Sequence, residues 1–256
     1  MFGYFWFQTI KKLLLLLDFG NTALKYFVVN QQTYIAEGRL DAVAFWTEID
    51  QLFVHHPTIT QAVAADVRGV LDRHQWEQRL NCPLMLLDPL RINLPFQTKY
   101  KTLGSLGQDR IALLAAAMQQ WPGKAFLLID LGTCITYDFM DTQAIHHGGT
   151  ISPGFGMRYK ALHQQTGKLP LLEYEPQSAS LGTSTSTAIH AGIQTGILAE
   201  VKAQIRFYQK IAPTLTVILS GGDAQKLSKK IKKAIFAQPN FLAQGLQAIW
   251  THNKVL

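Results

Sequence analysis

The apolar run Leu13–Leu17 leads directly into Asp18-Phe19-Gly20-Asn21-Thr22. About 112 residues later, Phe126–Ile129 leads into Asp130-Leu131-Gly132-Thr133. The chain therefore spells twice a buried strand, then Asp-x-Gly, then a hydroxyl residue. A short unbroken apolar run suits a strand covered on both faces. The glycine lets the backbone turn tightly and approach a ligand. Freed amides and an Asn or Thr side chain can grip phosphate oxygens, and the aspartate can hold a hydrated cation. A single copy reads as a hairpin turn. Two copies at comparable strand ends point to two half-sites closing on one nucleotide. The pattern is neither the G-x-x-x-x-G-K-[ST] phosphate loop nor a G-x-G-x-x-G that opens a helix after a strand.

With 256 residues, 48% of them hydrophobic, the chain can bury a substantial core, as one large domain or two small ones. Cys82 and Cys134 form no C-x-x-C, which argues against a disulfide framework or a cysteine zinc site and fits a reducing cytoplasm. Lys11-Lys12 precede the leucine run, but Asp18 ends it well short of the about 20 residues a membrane span requires. A signal peptide would need a longer apolar stretch and a small-residue cleavage site. Residues 1–10 read as an extension without an assigned role. The net charge of +7 suits an anionic substrate and does not require nucleic acid. The densest basic stretch holds Lys226, Lys229, Lys230, Lys232 and Lys233, with Leu227, Ile231 and Ile235 between them. It reads as an amphipathic helix with a solvated outer face.

Strands are expected at 13–17, 24–29, 63–67, 126–129, 136–140 and 217–219. Helices are expected at 42–53, 72–80, 106–121, 157–166, 185–210 and 240–250. Residues 148–154 read as a loop with a short strand piece, and Ser220-Gly221-Gly222-Asp223 as a third glycine-rich turn. Pro122-Gly123 ends a helix and marks the best boundary, dividing the chain into 11–121 and 122–256. The recurring theme suggests two similar α/β domains with a cleft between them.

In this order the segments resemble the type III pantothenate kinases, within the acetate and sugar kinase/Hsp70/actin superfamily. Asp18 to Thr22, followed by Ala23, Leu24 and Lys25, is similar to the first phosphate motif. Tyr100, with Asp109 in Gly107-Gln108-Asp109-Arg110, resembles the pantothenate motif. Asp130-Leu131-Gly132-Thr133-Cys134-Ile135-Thr136, with Asp138, resembles the second phosphate motif. Gly148–Gly154, Gly182 with Thr185, and Gly221-Gly222-Asp223 resemble the remaining motifs. The sequence departs from the family pattern at Lys101–Gly104, which lacks a common proline, at Ala64–Arg68, and at Gln244, where an acid is usual.

The resemblance implies two actin-like, ribonuclease H-like domains around a central cleft. It also implies a cytoplasmic homodimer that phosphorylates pantothenate with ATP and requires Mg²⁺ and K⁺ or NH₄⁺. Residues 18–25, Gly132 and Thr133 would meet ATP. Asp18 would hold Mg²⁺ through water and Asp130 the monovalent cation. Tyr100, Gly107, Gln108, Asp109, Arg110 and Thr185 would contact pantothenate.

Phosphoryl transfer needs positioning and charge neutralisation more than covalent help. Asp109 can take the proton of an attacking hydroxyl, and the Arg110 fork suits the substrate's carboxylate. Asp-Arg at a helix start also reads as an acid favouring the helix dipole, and the Ser/Thr run 183–187 as a helix cap. Adjacent histidines, His55-His56 and His146-His147, cannot both face one metal from a strand. Cys134 reads as a small packed hydrophobe. Two alternatives remain: a non-catalytic regulatory protein of the same fold, or another phosphotransferase of the superfamily.

Overall fold

The structure is a computed structural model describing residues 12–176, 180–228 and 230–255. Residues 1–10 and Lys229 lie outside the described residues.

The first sheet contains β1 (Leu13–Phe19), β2 (Leu24–Asn30), β3 (Thr33–Leu40), β4 (Ile59–Asp66) and β5 (Leu84–Leu86), in the order β3-β2-β1-β4-β5. Between its strands run α1 (Phe45–His55) and α2 (Arg73–Leu80). Asp72 caps α2, its carboxylate accepting from the Gln75 amide at 3.0 Å. Then come β6 (Gln97–Thr98) and α3 (Gln108–Gln120).

The second sheet contains β7 (Phe126–Leu131), β8 (Cys134–Met140), β9 (Ile145–Pro153), β10 (Thr216–Ser220) and β11 (Ile235–Phe236), with β6 joining its edge. Its order is β11-β10-β7-β8-β9-β6. Helices α4 (Phe155–Gln164), α5 (Thr185–Ile211) and α6 (Phe241–Val255) complete the fold. Each sheet repeats the same local plan: an antiparallel hairpin, β1-β2 or β7-β8, with a parallel neighbour on its other side, β4 or β10.

Strand periodicity turns this repeat into layers. Leu13, Leu15, Leu17 and Phe19 pack outward with Ile49 of α1 and Trp76 of α2. Leu14 and Leu16 pack inward against α3 and α6, in one cluster with Phe126 and Leu128 of β7. Leu127, Ile129 and Leu131 pack outward against α4 and α5. Helices α3 and α6 thus form a middle layer shared by both sheets, and α6 also touches β1 and β4. They approach closely because Gly245 faces α3. A Cβ there would stand 1.8 Å from the Ala112 carbonyl oxygen.

Two expectations need correction. Residues 148–153 are continuous strand, not a loop with a short strand piece, and Gly154 caps α4: β9 runs nine residues and pairs with β8. Its glycines permit the pairing, since a Cβ on Gly149 would fall 1.6 Å from the Tyr137 carbonyl oxygen. The basic run is not an amphipathic helix. Ala224–Leu227 makes one 3-10 turn, and Lys233, at φ 65°, is left-handed. Leu227 and Ile231 still point into the core. Lys226 pairs with Asp223 at 2.7 Å and rests over the Phe155 and Tyr174 rings. Strands β3, β5, β6 and β11 are additional to those expected, and β3 alternates between exposed and half-buried residues.

Candidate active site

Strand parity aims both loop aspartates at the middle layer. Asp18 shares the face of Leu14 and Leu16, and Asp130 that of Phe126 and Leu128. Between them, α3 begins at its N-cap Gly107, placing Asp109 in the first turn. Elements from both sheets therefore bring Asp18, Asp109 and Asp130 into one electrostatic neighbourhood. The two loops also meet directly: Thr22 Oγ1 lies 2.9 Å from Thr133 Oγ1.

Each carboxyl is perturbed upward. Burial pushes Asp18 to about 6; Lys25, its cross-strand partner, opposes the rise and Asp109 adds to it. Loss of solvent pushes Asp130 to about 7, reinforced by the charges of Asp109, Asp18 and Asp138 and opposed by the Ser220 hydroxyl on β10. Burial also raises Asp109, while hydrogen bonding from the Arg110 amide and the Arg110 charge hold it back. Like charges gathered in low dielectric favour protonation or a bound cation. Among the described residues, no three His, Cys, Asp or Glu side chains form a ready-made metal shell. Such open carboxylates fit a cation completed by water and ligand oxygens.

The loops donate differently from expectation. The Gly20 amide is bonded to the Ala23 carbonyl at 3.1 Å and the Gly132 amide to Cys134 at 3.0 Å, so neither is free for phosphate. These bonds form the turns and present Asn21, Thr22 and Thr133 outward. Phe19 and Leu24, paired across the hairpin, are buried in the outer core, where Phe19 meets Phe45 edge-on; Ala23 contributes its carbonyl to the turn. Gly221, at φ 91°, brings the third turn against loop two, where a Cβ would stand 2.3 Å from the Leu131 carbonyl oxygen.

Arg110 is also differently placed. Its Nε and Nη2 donate to the two Asp138 oxygens at 3.0 and 2.6 Å, and both side chains are buried. Burial would disfavour the charged guanidinium, but the Asp138 pairing holds it above its ordinary value. Burial would likewise raise Asp138, but hydrogen bonds from His146 and Arg110 hold it below the carboxylate range. The fork expected to be open for a substrate carboxylate is thus occupied by Asp138. Arg110 still stands 5.3 Å over the Tyr100 ring. Gln108 accepts from the Asp66 amide at 2.6 Å, tying α3 to the end of β4.

Thr185 is not gathered with these residues. It lines an apolar groove of about 760 Å³ between α4 and α5, with Leu162, Leu169, Ile189 and Ile193. The cap is made by its neighbours, Ser184 and Thr187, in a reciprocal capping box. Cys134 is half-exposed, not core, with Sγ 3.8 Å from Met157 Sδ. Sequence reasoning missed His146, which is fully buried and bonded to Asp138. Opposite-face alternation in the His146-His147 pair offered the signal.

Opposed Asp-Gly loops on two sheets around a shared helical layer give the chain the fold of the sugar kinase/actin-like class. Solved structures agree at the level of fold. A Campylobacter jejuni chain described within the Baf family of transcriptional activators has a TM-score of 0.64 at 23% identity, covering 94% of this chain and all of its own. A glucokinase from an Antarctic psychrotroph has a TM-score of 0.54 at 9% identity, covering 94% and 99%. The chain belongs to the type III pantothenate kinase family, whose profile matches residues 14–206. The type III pantothenate kinase of Christiangramia forsetii is 39% identical over 240 residues, 94% of this chain and 98% of its own.

Proposed function

We infer that the chain phosphorylates pantothenate with ATP in the first step of coenzyme A biosynthesis. The observation that carries this reading, beside family membership, is the convergence of Asp18, Asp109 and Asp130 next to Tyr100 and Arg110. Asn21, Thr22 and Thr133 grip the phosphates from two sides, and Lys25 adds positive charge. Asp109 accepts the proton of pantothenate's primary alcohol as its oxygen attacks the γ-phosphorus. Its raised pKa makes it a better base than a solvated carboxylate. Tyr100 and Arg110 wall the acceptor pocket, and Gly107 and Gln108 hold the start of α3. Asp18 would hold Mg²⁺ through water and Asp130 a monovalent cation; these ions supply charge neutralisation around the phosphates.

ATP consumption with pantothenate, measured in K⁺, NH₄⁺ and Na⁺ buffers, tests both the function and the ion. Activity is expected in K⁺ or NH₄⁺ and not in Na⁺ alone. Equal rates in all three would remove the monovalent site at Asp130, and no pantothenate-dependent turnover in any would remove the function.

The functional unit we propose is a cytoplasmic C₂ homodimer. Among the described residues no helix is long and apolar enough to cross a membrane. The apolar groove lined by Thr185, Leu162, Ile189 and Ile193 is the place we assign to a second copy. A second copy seated there would give Thr185 its route to the substrate. Light scattering is expected to give twice the 28.7 kDa chain mass at micromolar concentration. A monomer would exclude this arrangement.

A further inference from the structure

A continuous polar chain runs through the interior where β6 joins the second sheet. The Tyr100 amide donates to Thr98 Oγ1 at 3.1 Å, and that hydroxyl lies 2.9 Å from His146 Nδ1. His146 Nε2 lies 2.9 Å from Asp138 Oδ1, which also accepts from Arg110 Nη2 at 2.6 Å. An ionised carboxylate only accepts, so Nε2 carries a proton. In the neutral ring, Nδ1 then accepts a hydrogen bond from the Thr98 hydroxyl, and the Thr98 oxygen stays free to accept from the Tyr100 amide. The directions agree along the whole chain.

Its two ends are Tyr100 and Arg110, which also touch each other: Arg110 Cζ is 5.3 Å from the Tyr100 ring centre. The His146 ring lies nearly parallel to Tyr100, at 6.2 Å and 11°, so the loop of contacts closes. His146 is 0% exposed, and Phe96 meets its ring edge-on. An apolar residue would fill such surroundings without the desolvation cost of a buried polar group. A fully satisfied network in that position fixes one arrangement of its members.

We propose that His146 is a positioning residue for the acceptor site, locking Tyr100 and Arg110 to one another through Thr98 and Asp138. This rests on reading Tyr100 and Arg110 as the pantothenate wall. Among the described residues His146 hydrogen-bonds to Thr98 and Asp138 and to neither nucleotide loop, so its influence falls on the alcohol substrate.

The test compares His146→Phe, His146→Gln and Thr98→Val with the full wild-type chain, by steady-state kinetics in both substrates. Phenylalanine keeps a flat ring but removes both hydrogen bonds. Valine breaks the chain one link away, on a half-exposed edge strand, and so tests the idea if His146→Phe does not fold. Both are expected to raise KM for pantothenate by about tenfold, the scale of one lost buried hydrogen bond, with kcat and KM for ATP within about twofold. His146→Gln keeps a donor for Asp138 and should recover part of the loss. Folded Thr98→Val with an unchanged KM for pantothenate would overturn the proposal, as would an equal rise in both KM values. A wild type inactive with pantothenate would defeat the functional reading, and the proposal with it. An active wild type with unaffected variants would defeat the proposal alone.

Discussion

Asp109→Asn is expected to lower kcat by about 10²- to 10⁴-fold, equivalent to roughly 3 to 5 kcal/mol of barrier. Nucleotide affinity should barely change. Asparagine keeps the shape of the side chain and can still cap the first turn of α3, where Asp109 accepts from the Arg110 amide at 2.8 Å. It cannot take a proton. The helix-dipole reading of Asp109 makes the opposite forecast: a small loss of stability and a nearly normal kcat. Steady-state kinetics with nucleotide titration separates them, and a near-normal kcat would reduce Asp109 to a helix-start acid.

The second large effect concerns Arg110 and Asp138. Asp138→Ala would leave a guanidinium buried without its partner, and Arg110→Ala would leave a buried carboxylate held by the His146 ring alone. Removing one member of a buried pair costs about 3 to 5 kcal/mol. Each single change should therefore lower the urea midpoint strongly. Exposed pairs such as Arg73–Glu77 contribute little by comparison. Replacing both together, Arg110→Met with Asp138→Leu, removes the unpaired charge along with the pair. That double variant should be more stable than either single one and still be poor with pantothenate. Additive losses across the cycle would show that the ion pair is not the unit that matters.

The two Asp-Gly loops were legible because each follows a strand of its own and depends on local spacing. Strand parity then fixes where Asp18 and Asp130 point. The Arg110 partner was not legible. Asp138 is 28 residues away, and their meeting depends on how α3 crosses β8. The burial of His146 could be read from the alternation of the histidine pair, but its partner Thr98 could not, since Thr98 sits on a strand of two residues that exists only through pairing with β9. β3 escaped detection because Gly38 and polar residues weaken its alternation. The lysine run was misread because charge spacing alone cannot reveal the turn at Asp223.

The shared middle layer has a consequence for how the chain can mature. β1 and β4 bury their inner faces partly against α6, whose residues Phe241, Ala243, Leu246 and Ile249 are translated long after the first sheet. A nascent chain that has completed the first sheet and α3 still lacks that cover. Vectorial folding, in which an N-terminal unit closes while the rest is being made, cannot complete the first sheet's core before α6 is available. Leu14, Leu16, Val63 and Ala65 await a helix that is made only after the whole second sheet.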